Sequence, residues 1–172
     1  MTKSENMLGY LMLMEKNAEA ASAQAFTLER WLAEFGNDGQ VDTPIGKVKM
    51  GENQLAKLIL NKRTAEYGMI KPTLTNPDVV IEAASEAKKG QEAERPTSYL
   101  FVKTFTVNGE KNRHYESVTV SKGGMEVVVS SHIVKPAKVL SRLINGNVLW
   151  SKYELTNPKT SDKFQTLDKQ NT

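Results

Sequence analysis

Two glycine-containing turns in the second half of the chain constrain the fold more than any other feature of the sequence. Asn108-Gly109 joins the segments SYLFVKTFTV and HYESVTVS, and Gly123-Gly124 joins HYESVTVS to MEVVVSSHI. Such dipeptides between segments rich in β-branched and aromatic residues are typical of β-hairpins. The sequence therefore predicts three consecutive antiparallel strands, and it predicts a fourth strand before them, near Val79–Ala83.

The rest of the chain shows helical patterns. Apolar residues recur at spacings of three and four over 5–35, which predicts a first helix ending at the glycines of FGNDGQ. A second helix is predicted over Glu52–Tyr67, with Gly68 as its C-terminal cap. The segment VDTPIGKVKM is predicted to be extended with a turn, KPAKVLSRLING to be a short helix from Pro136 to Gly146, and NVLWSKY to be a strand. The predicted fold class is α+β: N-terminal helices, a four-stranded antiparallel β-meander, and a short C-terminal helix and strand.

The composition argues against several classes of function. The chain has no cysteine and two histidines, which excludes disulfides and thiolate chemistry and predicts neither a metal site nor a cofactor. The apolar run MLGYLMLM is far shorter than the roughly 20 residues that cross a bilayer, and no signal-peptide pattern surrounds it, so a cytoplasmic protein is predicted. Residues 1–50 carry a net charge of −2 and residues 51–172 a net charge of +5, a bias that suits a polyanionic partner.

A two-residue Gly-Gly turn would set the register of the second predicted hairpin. Val120 would then lie opposite Val127. Val118 would likewise lie opposite Val129, and the four valines would share the core face. The opposite face would bring together five polar residues: Tyr115, Ser117, Thr119, Ser130 and His132. An ordinary solvent-exposed face of an antiparallel sheet has the same composition, and that alternative stays open.

Lys103 lies between Phe101 and Phe105 on one face of its predicted strand. A tight Asn-Gly turn would place these three side chains with the valine core. A loop one residue longer would place them with Ser117 and His132 instead. In the first case Lys103 extends from the edge of the core to solvent, and the sequence leaves both placements open.

Five short segments occur in order between Val41 and Trp150: TPIGKVKMG, KPTLTNP, FVKTF, ESVTVSKGG and VVVSSH. Their order and spacing resemble the phage-associated nuclease domains grouped with barnase, EndoU, the colicin RNases and RelE-type toxins, the BECR fold. Such domains occur in polyvalent and head-morphogenesis proteins of phages and mobile elements. The resemblance implies helices followed by a four-stranded antiparallel sheet whose exposed face binds RNA. It also implies metal-free cleavage, in which the ribose 2′-hydroxyl attacks the adjacent phosphorus and leaves a 2′,3′-cyclic phosphate.

The resemblance also assigns roles to residues of this chain. His132 matches the histidine of the SSH strand and would be the general acid or base. Lys103 and Arg95 would stabilise the charge that develops on the phosphate. The hydroxyl groups that would bind the phosphate or hold the imidazole are those of Ser117, Thr119 and Ser130. The predicted substrate-binding residues are Tyr115, which would stack on a base, and three cations, Arg113, Lys71 and Arg63. No second histidine or well-placed glutamate accompanies His132 on the predicted polar face, so either a lysine completes the set or the domain is inert.

The predicted organisation is an N-terminal helical segment (1–40), a nuclease domain (41–153) and a polar C-terminal tail (154–172). The predicted function is a metal-independent endoribonuclease, a phage or mobile-element effector of the toxin type. Its predicted partners are RNA and an inhibitor or a larger phage or mobile-element protein. One alternative is a non-catalytic module that binds nucleic acid or protein. Another is a structural fragment whose first helix docks onto a larger assembly through apolar residues, Leu8, Leu11 and Met12.

Overall fold

The computed structural model describes residues 2–21, 29, 33, 35–36, 39–50, 67–84, 97–107, 113–122, 125 and 127–155, with the backbone alone at 67, 84, 97 and 127–133. Three helices and eight strands lie in this part of the chain. In order they are α1 (Lys3–Lys16), β1 (Glu19–Ala21), β2 (Gln40–Thr43), β3 (Gly46–Lys49), α2 (Tyr67–Thr75), β4 (Val79–Ala84), β5 (Thr97–Val107), β6 (Arg113–Ser121), β7 (Val127–Val134), α3 (Pro136–Asn145) and β8 (Asn147–Ser151).

A six-stranded mixed sheet organises the molecule. Five strands follow the order β7-β6-β5-β4-β8 and pair antiparallel, and β1 pairs parallel with β5. β2 and β3 form a separate hairpin. The chain is therefore α+β, as predicted. The prediction of N-terminal helices followed by a four-stranded antiparallel meander is wrong, because β8 returns to pair with β4 and a strand next to α1 joins β5.

The N-terminal segment differs most from its prediction. α1 ends at Lys16 and β1 follows, so the single helix predicted over 5–35 is wrong. β1 places Glu19 opposite Phe105 on β5. Pairing with β5 satisfies backbone groups that a longer helix would otherwise satisfy internally, and this tertiary contact overrides the helix propensity of Glu-Ala-Ala.

The predicted second helix, Glu52–Tyr67, lies outside the described residues except at its last position. At that position the chain is helical: the described part of α2 begins at Tyr67, and Gly68 lies within the helix instead of capping one. The predicted turn before Val79 is therefore mostly helix, and Pro72 lies inside it. The Asn108-Gly109 connection also lies outside the described residues, although β5 and β6 pair antiparallel on either side of it.

Local signals were reliable elsewhere. The β2–β3 hairpin, β4 and β8 form where the sequence predicts them. α3 begins with Pro136, whose missing N–H is no loss in the first turn, and Gly146 caps it by donating its N–H to the carbonyl of Arg142 at 2.8 Å. A Cβ at Gly146 would overlap the side chain of Ile81, so glycine allows α3 to pass directly into β8.

Both faces of the sheet are covered. α2 and the β2–β3 hairpin pack on one face, in a core of Phe35, Val41, Val48, Met50, Ile70, Leu74, Val80, Phe101, Val118 and Val120. α1 and α3 pack on the other, in a core of Met7, Tyr10, Leu11, Met14, Val79, Ile81, Val102, Tyr115, Val139, Leu143 and Leu155. The expectation that one face of the sheet is exposed is therefore wrong, because the apolar sides of α1 and α3 are buried on the face opposite α2. RNA binding itself stays a prediction.

α1 retains some apolar residues at the surface. Leu11 is buried against the sheet, whereas Leu8 is 48% exposed and Met12 62% exposed. Within the described chain, no helix combines the length and the apolar character needed to cross a bilayer.

Candidate functional site

The pairing of β6 with β7 differs from the predicted hairpin. Val120 faces Val127 as predicted, but the register shifts at two points further along. Ser117 therefore faces His132, where the prediction had Ser130. The predicted partners of Thr119 and Tyr115 are also displaced towards the C-terminal end of β7, because β-bulges place extra residues on that strand.

The β-bulges determine which residue of β6 the SSH segment faces. From Val120 to Ser117, β6 advances by three residues, while β7 advances by five from Val127 to His132. Bulges are frequent next to active sites, since they bend a strand and re-aim the residues that follow. The backbone of His132 is thus brought level with Ser117.

Ser117 and Thr119 line a pocket between the sheet and α3. The pocket has a volume of about 130 Å³. α3 contributes Lys138 and Arg142, which are four residues apart and so lie on one side of the helix. Its apolar walls are formed by Leu100, Val102, Val134 and Val139. Two hydroxyls and two cations over an apolar floor form an arrangement suited to a phosphate group.

The amphipathic pattern of α3 explains why the two cations lie at the pocket. Val139 and Leu143 are buried against the sheet, while Lys138 is exposed and Arg142 half-buried. The cations therefore border the apolar side of the helix, where a long side chain can lie along apolar surface and present its charge at the rim. Neither residue was predicted from the sequence, although the four-residue spacing in KPAKVLSRL, just after the SSH strand, was an available signal.

The electrostatics of the pocket favour an anion. None of the described residues that line it is acidic. A phosphate in the pocket would therefore meet the hydroxyls of Ser117 and Thr119 and the positive charge of Lys138, and none of the described lining residues carries a carboxylate. The apolar floor lowers the local dielectric constant, which strengthens such charge-assisted hydrogen bonds.

Lys103 lies on the other face of the sheet. It alternates with Val102, which lines the pocket, and it faces Glu116 on β6. Its side chain is 2% exposed, and the ammonium donates to the carbonyl of Asn76 at 2.7 Å and lies 3.2 Å from the carboxylate of Glu19. Of the two placements that the sequence left open, the structure shows the one on the valine-core face, so Lys103 and the pocket hydroxyls are not brought together.

Asp78 is a buried acid beside Lys103 that was not predicted from the sequence. It is 2% exposed, and its carboxylate accepts a hydrogen bond from the amide of Thr104 at 2.8 Å. Burial raises the pKa of the Asp78 carboxyl, although the charge of Lys103 acts in the opposite direction. Burial also lowers the pKa of the nearby Lys152 ammonium, and Lys103 adds to that shift.

The contacts of Asp78 hold elements of the fold together. The hydroxyl of Tyr10 on α1 donates to the carbonyl of Asp78, and the amide of Lys152 donates to the same carbonyl at 3.0 Å. Burial raises the pKa of the neighbouring Tyr153 hydroxyl to about 12. Asp78 thus joins α1, β5 and the end of β8.

The remaining predicted residues lie apart from the pocket or outside the description. Tyr115 is 1% exposed and packs in the core beneath α1 and α3, so its ring is not available to stack on a base. The guanidinium of Arg113 donates to the carbonyl of Glu15 at 2.8 Å. Lys71 lies on α2, across the sheet from the pocket. The description does not extend to Arg63, Arg95 or the side chains of Ser130 and His132.

Among the described residues, no group of three or more histidine, aspartate or glutamate side chains could hold a metal ion. No protein-family model, curated protein or solved structure matches the chain. The resemblance to BECR-type nuclease domains therefore stays a prediction.

Proposed function

We propose that this chain is a metal-independent endoribonuclease and that the phosphodiester it cleaves binds in the pocket between β6 and α3. One observation carries the proposal: Ser117, which faces His132 across the β6–β7 pair, lines the same pocket as Lys138 and Arg142. The three kinds of group that metal-free cleavage requires, namely a proton-transfer residue, hydroxyl donors and cations, thus come from adjacent elements.

Each group has a role in the proposed reaction. His132 transfers a proton as the ribose 2′-hydroxyl attacks phosphorus and the 5′-oxygen leaves. Ser117 and Thr119 donate hydrogen bonds to the non-bridging oxygens. Lys138 and Arg142 offset the second negative charge that the phosphorus centre acquires in the transition state, and such groups accelerate reaction because that charge is absent from the ground state. In this proposal Lys103 has a structural role.

The test is an assay of the purified protein on end-labelled RNA in EDTA. We expect products with 2′,3′-cyclic phosphate ends, loss of turnover in His132→Ala with RNA affinity retained, and a decrease of roughly 10²-fold or more in kcat for Lys138→Ala and Arg142→Ala. Lys135→Ala is the matched control, because this exposed lysine precedes α3 without lining the pocket. Intact RNA at high protein concentration would refute the proposal.

A second candidate is a non-catalytic module that binds nucleic acid. It is favoured by the composition of the described pocket, which supplies cations and hydroxyls but no carboxylate to act as a second acid or base. Wild-type protein that binds RNA without cleaving it, and loses affinity in Lys138→Ala, would establish this candidate.

A further inference from the structure

The side of α1 that points away from the sheet is exposed and apolar at its centre. Met12 is 62% exposed, Leu8 48% and Leu13 36%. The exposed residues recur at spacings of three and four, so they form one continuous stripe along the helix. The members of this exposed stripe are Glu5, Leu8, Gly9, Met12, Leu13 and Lys16. The outer face of a surface helix is usually polar, and a contiguous apolar patch with a charged rim is typical of an interaction surface.

The order of residues in the exposed stripe suits a contact between two copies of the chain. Its members are equidistant from its midpoint in three pairs: Glu5 and Lys16, Leu8 and Leu13, Gly9 and Met12. A two-fold axis through that midpoint would place a second α1 antiparallel to the first. Both copies would then contribute the same stripe, as an isologous interface requires.

The charges at the two ends of the stripe select the antiparallel arrangement. Glu5 of each copy would lie opposite Lys16 of the other, which gives two attractive pairs in one contact. A parallel arrangement would instead place Glu5 opposite Glu5 and Lys16 opposite Lys16. The Glu5 carboxylate accepts a hydrogen bond from the Thr2 hydroxyl at 3.1 Å. That partner is neutral, so the charge of Glu5 remains available to a second copy.

The shape of the centre fits the same arrangement. Gly9 would lie opposite Met12 of the second copy, and a Cβ at Gly9 would meet nothing within 4 Å. This space suits the long and flexible side chain of methionine, which fills irregular gaps readily. Leu8 and Leu13 would flank the contact on its two sides. A hydrophobic centre with charged pairs at both ends therefore results from one symmetric contact.

We propose that α1 binds a second copy of this chain and that the two helices pack antiparallel through the exposed stripe. α1 has 14 residues and is about 21 Å long. The contact therefore belongs to the small interfaces that are typical of transient complexes, in which dimer and monomer exchange. The proposal does not depend on the pocket between β6 and α3.

The test measures the mass of the full chain by sedimentation equilibrium from about 10 µM to about 1 mM, the range in which a weak dimer dissociates. We expect the mass to rise from one copy towards two. Glu5→Lys and Lys16→Glu each place like charges opposite each other at both ends of the contact. Each variant should weaken association by roughly 3- to 30-fold. An equimolar mixture of the two variants should restore it, because every end pair in the mixed dimer is again opposite in charge.

Two further variants separate the contact from general effects of charge. Lys3→Glu is the matched control, because it makes the same charge change as Lys16→Glu at an exposed residue of α1 outside the stripe. It should leave association unchanged. Met12→Gln removes the apolar centre without a change of charge and should weaken association by roughly tenfold. Far-UV circular dichroism verifies that each variant keeps its fold, which we expect because all four positions are exposed.

The outcomes are distinct. A monomeric mass over the whole range overturns the proposal and assigns the exposed stripe to a different occupant. A dimer that the single variants leave unchanged also overturns it, because its contact then lies elsewhere. A mixture that associates as weakly as the single variants rejects the antiparallel pairing. RNA cleavage is assayed separately, so the dimer and the nuclease can each fail while the other persists.

Discussion

The carboxylate of Asp78 accepts a hydrogen bond from the backbone amide of Thr104 at 2.8 Å. This contact lies at a gap along β5, since β4 pairs with β5 as far as Val102 and β1 begins to pair at Phe105. On this edge of β5, Asp78 supplies a side-chain acceptor at a position that neither β4 nor β1 pairs with, and it does so beside the buried ammonium of Lys103. The Asp78 carboxylate thus binds β5 in the gap between β4 and β1, which pair with the same edge of β5.

Replacement of Asp78 should therefore destabilise the fold. Asp78→Ala removes the acceptor for Thr104 and a negative charge near Lys103, which also pairs with Glu19, and we expect the free energy of unfolding to fall by about 1–3 kcal/mol. Asp78→Asn keeps an acceptor oxygen and should cost less. Urea unfolding measures both, with the exposed Asp42→Ala on β2 as the control, which should change stability by no more than about 0.5 kcal/mol. Equal stability of Asp78→Ala and wild type would contradict the role given to this carboxylate.

The same group predicts an unusual dependence of stability on pH. Burial raises the pKa of the Asp78 carboxyl above its ordinary value of 3.8, against the opposing charges of Lys103 and Lys152. Because the native state then holds the proton more tightly than the unfolded state, this contribution to stability is fully present below the unfolded pKa and is lost as pH rises through the native pKa.

Wild type should therefore gain stability relative to Asp78→Asn as the pH falls from neutral to below 3.8. The measurement is urea unfolding of both proteins across this range. The comparison with asparagine removes the titration of all other groups that behave alike in the two proteins. A difference in unfolding free energy that stays constant with pH would show that the carboxyl titrates normally.

Tyr10→Phe should loosen α1. The Tyr10 hydroxyl donates to the carbonyl of Asp78 and accepts from the amide of Tyr153 at 3.3 Å. Its removal leaves buried groups without that partner, which costs about 1–3 kcal/mol of unfolding free energy. Tyr99→Phe on β5, a half-buried tyrosine, is the control and should be nearly neutral. Equal thermal midpoints for the two variants would count against the role of the hydroxyl.

Two glycines should respond to alanine in opposite ways. At Gly146, a Cβ would overlap the side chain of Ile81 and lie 2.7 Å from the carbonyl oxygen of Arg142, so Gly146→Ala should lower the unfolding free energy by about 1–3 kcal/mol. At Gly9, in the exposed part of α1, a Cβ meets nothing within 4 Å. Gly9→Ala should raise the unfolding free energy by about 0.5–1 kcal/mol. Urea unfolding of the pair measures both effects, and an unchanged Gly146→Ala would mean that β8 can shift at no cost.

The face that RNA contacts can be identified from salt dependence. Each lost phosphate contact lowers the slope of log affinity against log salt concentration by about one. We expect this decrease for Lys138→Ala on α3 and no decrease for Lys71→Ala on α2, which lies across the sheet. The reverse result would place the RNA on the α2 side and contradict the pocket as its binding site.

The sequence predicted elements that depend on local chemistry. α3 carries its own start and stop signals, Pro136 and Gly146, and both were read correctly. β1 could not be predicted in this way, because Glu19–Ala21 has no strand pattern and is extended only through its pairing with β5. Its conformation is decided by a contact with residues far along the chain.

In the candidate site, too, features that depend on local sequence were predicted and features that depend on distant contacts were not. The polar face of β6 was visible from alternation, and Ser117 and Thr119 do line the pocket. The position of His132 opposite Ser117 depends on two bulges, which no turn signal encodes. Lys138 and Arg142 were missed because the sequence, although it shows the apolar side of α3, does not show that this helix packs on the face of the sheet that carries Ser117 and Thr119.

The hydrogen bond between Tyr153 and Tyr10 spans 143 positions of sequence. Contacts of such separation raise the contact order, and loop closure must be overcome before they stabilise anything, which slows folding. During synthesis, α1 emerges before both partners of its tyrosine, the carbonyl of Asp78 and the amide of Tyr153, and the second of these follows β8. We therefore expect α1 to dock fully only after Tyr153 has been made, with its methionines and leucines accessible to chaperones until then.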